Sequence, residues 1–321
     1  MDVLLELDLR MEGVGDLETL DGIRAAIRHI HVATRHLKLG RESADQDLFN
    51  DTIYRTNQAF EGMLKEAYVV LTGTNGMKKS PSEIEKHLID GKHLTDRVLD
   101  LFKNYRQGWR NPSTHDHTLL FKEQEALLAI VSVAAFAIVL LDQVIEKLSA
   151  QRAEEETKRL AKVEISPETA GNFQDHLLRL ITLFLENNST QISGLREPAI
   201  IGNLAGFIKA VDPDITIELE PTRDYGVNGI PDILFKKNKQ EILFELETSR
   251  SKSGLRGGTL SRMTRMLSGI EAEFGIILAT LDPGDLTVKD FPFGDNNVYV
   301  LSSASEDHSD AHFKWLPYSW D

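Results

Sequence analysis

The chain has no cysteine among its 321 residues. That excludes disulfides and thiolate metal sites, and it suits a reducing compartment. Positive charge is also scarce: 36 Lys and Arg stand against 50 Asp and Glu, a formal net charge of −14. Constitutive, non-specific affinity for nucleic acid comes from neutralising many phosphates, so the surface as a whole is excluded from that role while a local basic site is not. Long apolar runs are missing too. Ala126 to Leu141 is uncharged between Glu125 and Asp142, but it falls short of the roughly 18 residues of a membrane span and suits a central bundle helix. The segment from Met1 to Asp8 carries acids where a signal peptide carries positive charge. A cytoplasmic chain without membrane contact is the expectation, and its length suffices for two domains with their own cores.

Residues 1–150 read as helical throughout. Ile53, Phe60, Leu64, Ala67 and Leu71 mark one stripe, with Asn57 on it, and Leu94, Val98, Leu101, Phe102, Tyr105 and Trp109 mark another. Pro112 removes a backbone donor and biases Asn111 away from helical angles, so the second helix is expected to stop just after Arg110. Gln151 to Lys162 lacks a continuous apolar stripe but pairs Glu154 with Lys158 and Glu155 with Arg159 at i,i+4. It reads as a solvated helical linker, 151–165. Ser166-Pro167-Glu168 is a helix start. The region 166–321 reads as α/β: from Arg196 onward the order is helix, strand, strand, strand, helix, strand. The tail ending Trp315-Leu-Pro-Tyr-Ser-Trp320 is of a kind that packs rather than catalyses.

Between the second stripe and the apolar run stands Arg110-Asn-Pro-Ser-Thr-His115. A guanidinium holds a phosphate through two parallel hydrogen bonds, and an imidazole titrates near neutrality and can pass a proton. Together these are what metal-free RNA cleavage requires. An ordinary bundle with a surface Arg and a loop His would contain the same letters. His115-Asp-His117 is a poor metal site, because alternate residues in a loop rarely complete a ligand set. The spacing and the surrounding helices resemble the HEPN family over roughly residues 45–148. That resemblance implies His115 as acid or base, Arg110 stabilising the developing phosphorane charge, Asn111 orienting them, no cofactor, and a homodimer that joins two such sets in one cleft.

A second candidate lies further on. Along Glu241 to Glu247 the residues alternate, with Ile242, Phe244 and Leu246 on one side and Glu245 and Glu247 on the other, and Pro231-Asp232 is on the neighbouring strand. Carboxylates converging from two strands are hard oxygen ligands of the kind Mg²⁺ takes. A half-exposed hairpin with an acidic outer face would read the same way. With Glu197 on the preceding helix, the order of elements resembles the PD-(D/E)XK nuclease family over roughly residues 170–300. The resemblance implies Asp232, Glu245 and Glu247 as catalytic positions and Asp232, Glu245 and Glu197 as ligands of Mg²⁺. The sequence departs from the motif where Glu247 stands in place of the usual Lys, leaving Arg250 or Lys252 to bring positive charge. Arg250, Lys252, Arg256, Arg262 and Arg265 fall in a stretch from Thr248 to Ile270 without Asp or Glu, a candidate nucleic-acid contact.

The expected architecture is therefore an all-α, HEPN-like bundle followed by a restriction-endonuclease-like α/β domain. The first functional expectation is a metal-independent ribonuclease effector of an antiphage or toxin-type system, with RNA as substrate and an antitoxin or defence-complex partner. The alternatives are a Mg²⁺-dependent DNA endonuclease regulated by the helical domain, and a non-catalytic subunit of a defence complex.

Overall fold

The computed structural model describes residues 2–12, 20–76, 78–91, 93–94, 96–115, 118–160, 172–221, 225, 229–247, 257–270, 272, 274–281, 286–294 and 296–303; the side chains of 96, 97, 114, 115, 257 and 303 are outside that description. The chain divides into two compact units, Met1–Leu148 and Ser149–Asp321.

The first unit is helical: α1 (Val3–Glu12), α2 (Asp21–Ser43), α3 (Asp47–Thr72), α4 (Pro81–Asp90), α5 (Asp96–Tyr105), a π-helical turn (Arg106–Arg110), α6 (Asn111–His115) and the start of α7 (Glu123–Leu160). Local chemistry sets several ends. Ser80 and Glu83 form a reciprocal capping box with Pro81 in the first turn of α4. Gly73, at φ 67°, closes α3 with a left-handed residue that a side chain would strain. The core gathers around Phe60 of α3. Its ring lies 4.6 Å from Tyr105, 5.0 Å from Phe102 and 5.2 Å from Phe136, and all four are buried.

One expectation changes here. Pro112 does not end the helix: Asn111 is helical at φ −69°, ψ −48°, and its N–H bonds to the carbonyl of Arg106, five residues back. The wider π-turn hands the chain to α6 with Pro112 in its first turn, where a missing N–H leaves no bond unmade. The charged segment after residue 150 is helical and continues α7 without a break as far as Leu160. The whole of α7 is long and apolar enough by length and composition to cross a membrane, which the sequence run alone did not suggest. Yet 56% of its most apolar window is buried in the fold, as in a core helix.

The second unit is a three-layer α/β/α arrangement. It adds α8 (Phe173–Ile192), α9 (Glu197–Val211), β1 (Thr216–Leu219), β2 (Ile233–Lys237), β3 (Gln240–Leu246), α10 (Gly257–Gly269), β4 (Phe274–Leu278), β5 (Leu286–Phe293) and β6 (Asn296–Ser303). The helix start expected at Ser166-Pro167-Glu168 lies outside the described residues, as does the Trp315–Trp320 tail; α8 is capped instead by Asn172, which accepts from the N–H of Asp175. The sheet order is β1-β2-β3-β4-β6-β5. Strands β1, β2 and β3 form an antiparallel meander, β4 runs parallel to β3, and β6 parallel to β4. From α9 to β4 this is the order read from the sequence; β5 and β6 extend the sheet beyond it. The hairpin turns at Asn238 and Lys239, both at positive φ, between the paired Lys237 and Gln240.

Both faces of the sheet are covered. Phe184, Leu204 and Ile208 of α8 and α9 pack with Phe235, Phe244 and Ile276 on one side, and Met263, Met266 and Leu267 of α10 pack with Leu234, Leu243 and Ile277 on the other. β3 is therefore not a half-exposed strand: Leu243 to Leu246 are buried whichever way they point. The contacts are close. A Cβ on Gly206 of α9 would fall 2.1 Å from the carbonyl oxygen of Ala150 in α7. At the end of β2 nearest the hairpin, Asp212 accepts from His176 Nε2 at 2.8 Å and Lys237 Nζ at 2.5 Å. Burial alone would raise its carboxyl, but those bonds outweigh it and hold the group below its ordinary value.

Candidate functional site

The other end of β2 carries the acids. Ile233 pairs with Phe244 in the β2–β3 ladder, and continuing that register one step sets Asp232 opposite Glu245. Asp232 lies two residues before Leu234, and Glu245 two after Leu243, so strand alternation turns both toward α10. The backbone N–H of Leu246 donates to Asp232 Oδ2 at 2.7 Å. On the outer side the N–H of Glu220 donates to the carbonyl of Asp232 at 3.0 Å. Glu220 holds φ 39°, a left-handed angle that a residue with a Cβ adopts at a cost.

Glu245 is 2% exposed. Its Oε2 accepts from Arg262 Nη2 at 2.5 Å, while its Oε1 is buried without a hydrogen-bond partner. One turn earlier on α10, Thr259 Oγ1 donates to Glu247 Oε2 at 2.5 Å. Thr259 and Arg262, three apart on one helix face, thus reach the two glutamates of the motif. Burial is the largest cause that lifts both inner acids: Asp232 is pushed up to about 7 and Glu245 to about 8. The Leu246 N–H and Arg262 pull Asp232 back, and Glu197 and Glu220 raise it further. Glu245 is raised also by Asp232 and Glu197 and lowered by Arg262. Glu197, at the start of α9, is therefore electrostatically within reach of both.

No family model, curated protein or solved structure matches this chain. The site's meaning rests on its own geometry. Asp232, Glu245 and Glu197, singled out from the sequence, share one neighbourhood. Among the described residues, however, no group of three His, Cys, Asp or Glu side chains is arranged to hold a metal ion as it stands. The buried, unpartnered Glu245 Oε1 beside a second carboxyl nonetheless has the chemistry a hard divalent cation takes. The positive charge next to the acids comes from Arg262 on α10. Arg250, Lys252 and Arg256 lie outside the described residues. Arg265 is exposed and donates to the carbonyl of Ser261. Glu220 and Thr259 were not legible as site residues: a glutamate following a strand and a threonine opening a helix carry no local signal.

In the first unit, Arg110 Nε donates to Glu61 Oε1 at 3.2 Å and Nη1 to Asn111 Oδ1 at 3.3 Å. A relay backs it. Tyr105 Oη donates to Asn57 Oδ1 at 3.0 Å, Asn57 Nδ2 to Ser113 Oγ at 2.7 Å, and Ser113 Oγ to the carbonyl of Arg110 at 3.1 Å. Asn57 and Glu61, four apart on α3, thus meet the π-turn and α6. Asn57 was legible on its stripe; Glu61 was not, because a half-exposed acid on a helix is ordinary. His115 is the last residue of α6, and its side chain lies outside the described residues.

Proposed function

We propose that the second unit is a divalent-metal-dependent nuclease that hydrolyses the phosphodiester backbone of DNA, acting within a prokaryotic antiphage or toxin-type effector. One observation carries the reading: a carboxylate buried to 2% exposure, with an unpartnered oxygen, opposite a second, half-buried acid on the adjacent strand. An interior acid pair of that kind costs stability, and sites that tolerate such a cost use the charge. Strand order and element order, α9-β1-β2-β3-α10-β4, support a PD-(D/E)XK-like unit. Asp232 and Glu245, with Glu197 nearby, are the residues to hold Mg²⁺, which would supply an activated water and charge neutralisation. Glu247, held by Thr259, shapes the end of β3 where the motif departs from Lys.

The deciding experiment incubates the full-length protein with plasmid DNA and with RNA, each in Mg²⁺ and in EDTA. Cleavage of DNA in Mg²⁺, absent in EDTA and in Asp232→Asn, supports the reading. Intact DNA under all conditions overturns it.

A second reading has its own support. The relay Tyr105–Asn57–Ser113 fixes the backbone of Arg110 at a π-turn, a distortion found often at functional sites. On it rests RNA cleavage by Arg110 and His115 without metal, in a homodimer of HEPN-like units. RNA cut in EDTA selects this reading.

A further inference from the structure

The hydrogen bond that closes the acid pair comes from a side chain far more exposed than the one it serves. The side chain of Arg262 is 44% exposed and that of Glu245 is 2% exposed. The guanidinium therefore stands between solvent and the buried carboxyl of Glu245, where a polyanion arriving from solution could meet it. A divalent cation on the open Glu245 Oε1 would stand a carboxylate's width from the guanidinium on Oε2, and two positive groups that close repel strongly in a buried setting. The helix has no need to move if Arg262 leaves. α10 stays attached through Thr259 on Glu247 and through Met263, Met266 and Leu267 packed under the sheet. The stem of Arg262 lies beside Gly229, where an added Cβ would be in ordinary van der Waals contact with it at 3.5 Å.

We propose that Arg262 is an exchangeable counter-ion: it closes the Asp232–Glu245 pair in the free protein, and a DNA backbone phosphate draws it away so that Glu245 can take the metal. The proposal rests on the nuclease reading above. A phosphodiester offers two non-bridging oxygens that can accept from both prongs of a guanidinium fork. Swapping one anion for the other leaves Arg262 paired in both states and delivers the carboxylate only when substrate is present. Metal uptake and DNA binding are then linked through one side chain, and linkage makes each tighten the other by the same factor. Without such a device an acid pair open to solvent would load metal, and hydrolyse adventitiously, at all times.

The test is a calorimetric Mg²⁺ titration of the full-length chain, with and without a phosphorothioate DNA duplex that resists cleavage. In the parent, duplex should tighten Mg²⁺ by about tenfold. In Arg262→Ala, Mg²⁺ should bind about tenfold tighter than in the parent even without duplex, and the duplex should no longer change it. Arg262→Lys keeps the charge without the fork and should fall between. Arg262→Gln provides a second neutral variant, and the melting temperature of each variant reports whether it has folded. Equal or weaker Mg²⁺ binding by the neutral variants, or coupling that survives in them, overturns the counter-ion role while leaving the metal site standing. No Mg²⁺ binding by any form, with or without duplex, overturns the nuclease reading and this inference with it.

Discussion

Asp232 and Glu245 face one another across the β2–β3 hairpin on the side of the sheet that α10 covers, Asp232 half-buried and Glu245 with almost no solvent to share its charge. Every other feature of the site answers to that pairing. Arg262 neutralises one oxygen of Glu245, Leu246 donates to Asp232, and one oxygen is left without a partner.

Stability should therefore depend on pH in the direction opposite to that of a salt-bridged carboxylate. Both groups titrate higher in the folded chain, at about 7 and about 8, than their ordinary values of 3.8 and 4.5. Between those limits the folded state binds more protons than the unfolded state, so stability falls as pH rises from about 4 to about 8 and then levels. Glu245→Gln should remove much of the slope and stabilise the protein at pH 8 by an amount on the order of 1–3 kcal/mol. Chemical denaturation at pH 5 and pH 8 measures both. A parent whose second unit grows more stable over that interval would contradict the burial argument.

The helical unit gives a separate expectation. If Arg110 and His115 cut RNA, His115→Ala should slow cleavage by on the order of a hundredfold without loss of folding. The product should be a cyclic phosphate formed in EDTA. Arg110→Lys should fail as well, because an ammonium lacks the two-pronged donor geometry. Asn57→Ala should slow cleavage while leaving its pH profile in place, as expected of a residue that acts through the backbone of Arg110. RNA cleavage that is indifferent to His115→Ala removes the assignment.

Packing in the second unit can be read from two glycines. Gly206→Ala drives a methyl into the carbonyl of Ala150 and should destabilise by roughly 1–3 kcal/mol, since backbone cannot move aside as a side chain can. Gly258, near the start of α10, has nothing within 4 Å of an added Cβ. Alanine there should stabilise by about 0.5–1 kcal/mol through the unfolded state. Urea denaturation of the two variants beside the parent checks both signs. A tolerated Gly206→Ala would mean that the end of α7 does not rest on α9.

Removing Phe60 probes the bundle in the same way. Three aromatic rings within 5.2 Å lose their shared neighbour in Phe60→Ala, a change expected to cost about 3–5 kcal/mol. Near-ultraviolet circular dichroism with denaturant titration measures it. A loss under about 1 kcal/mol would mean that the rings repack around the gap.

What the sequence determined by itself was what short-range periodicity and turn chemistry can carry. The stripes through Phe60 and Tyr105, the hairpin at Asn238 and Lys239, the order of elements from α9 to β4, and the acids Asp232 and Glu245 were all legible, because each depends on residues a few positions apart. Tertiary structure decided the rest. Pro112 reads locally as a helix stop, but a π-turn ahead of it absorbs the missing donor, and the contacts of Asn57 and Glu61 across from α3 hold that turn in place. The alternation along β3 reads as one wet face, yet α10 covers that face, and burial turns an unremarkable glutamate into a group that resists ionisation. Arg262 sat in a basic run that suggested contact with nucleic acid. Its partner, Glu245, lies seventeen residues away on another element, and no local pattern encodes a pairing made only when the helix folds back over the sheet.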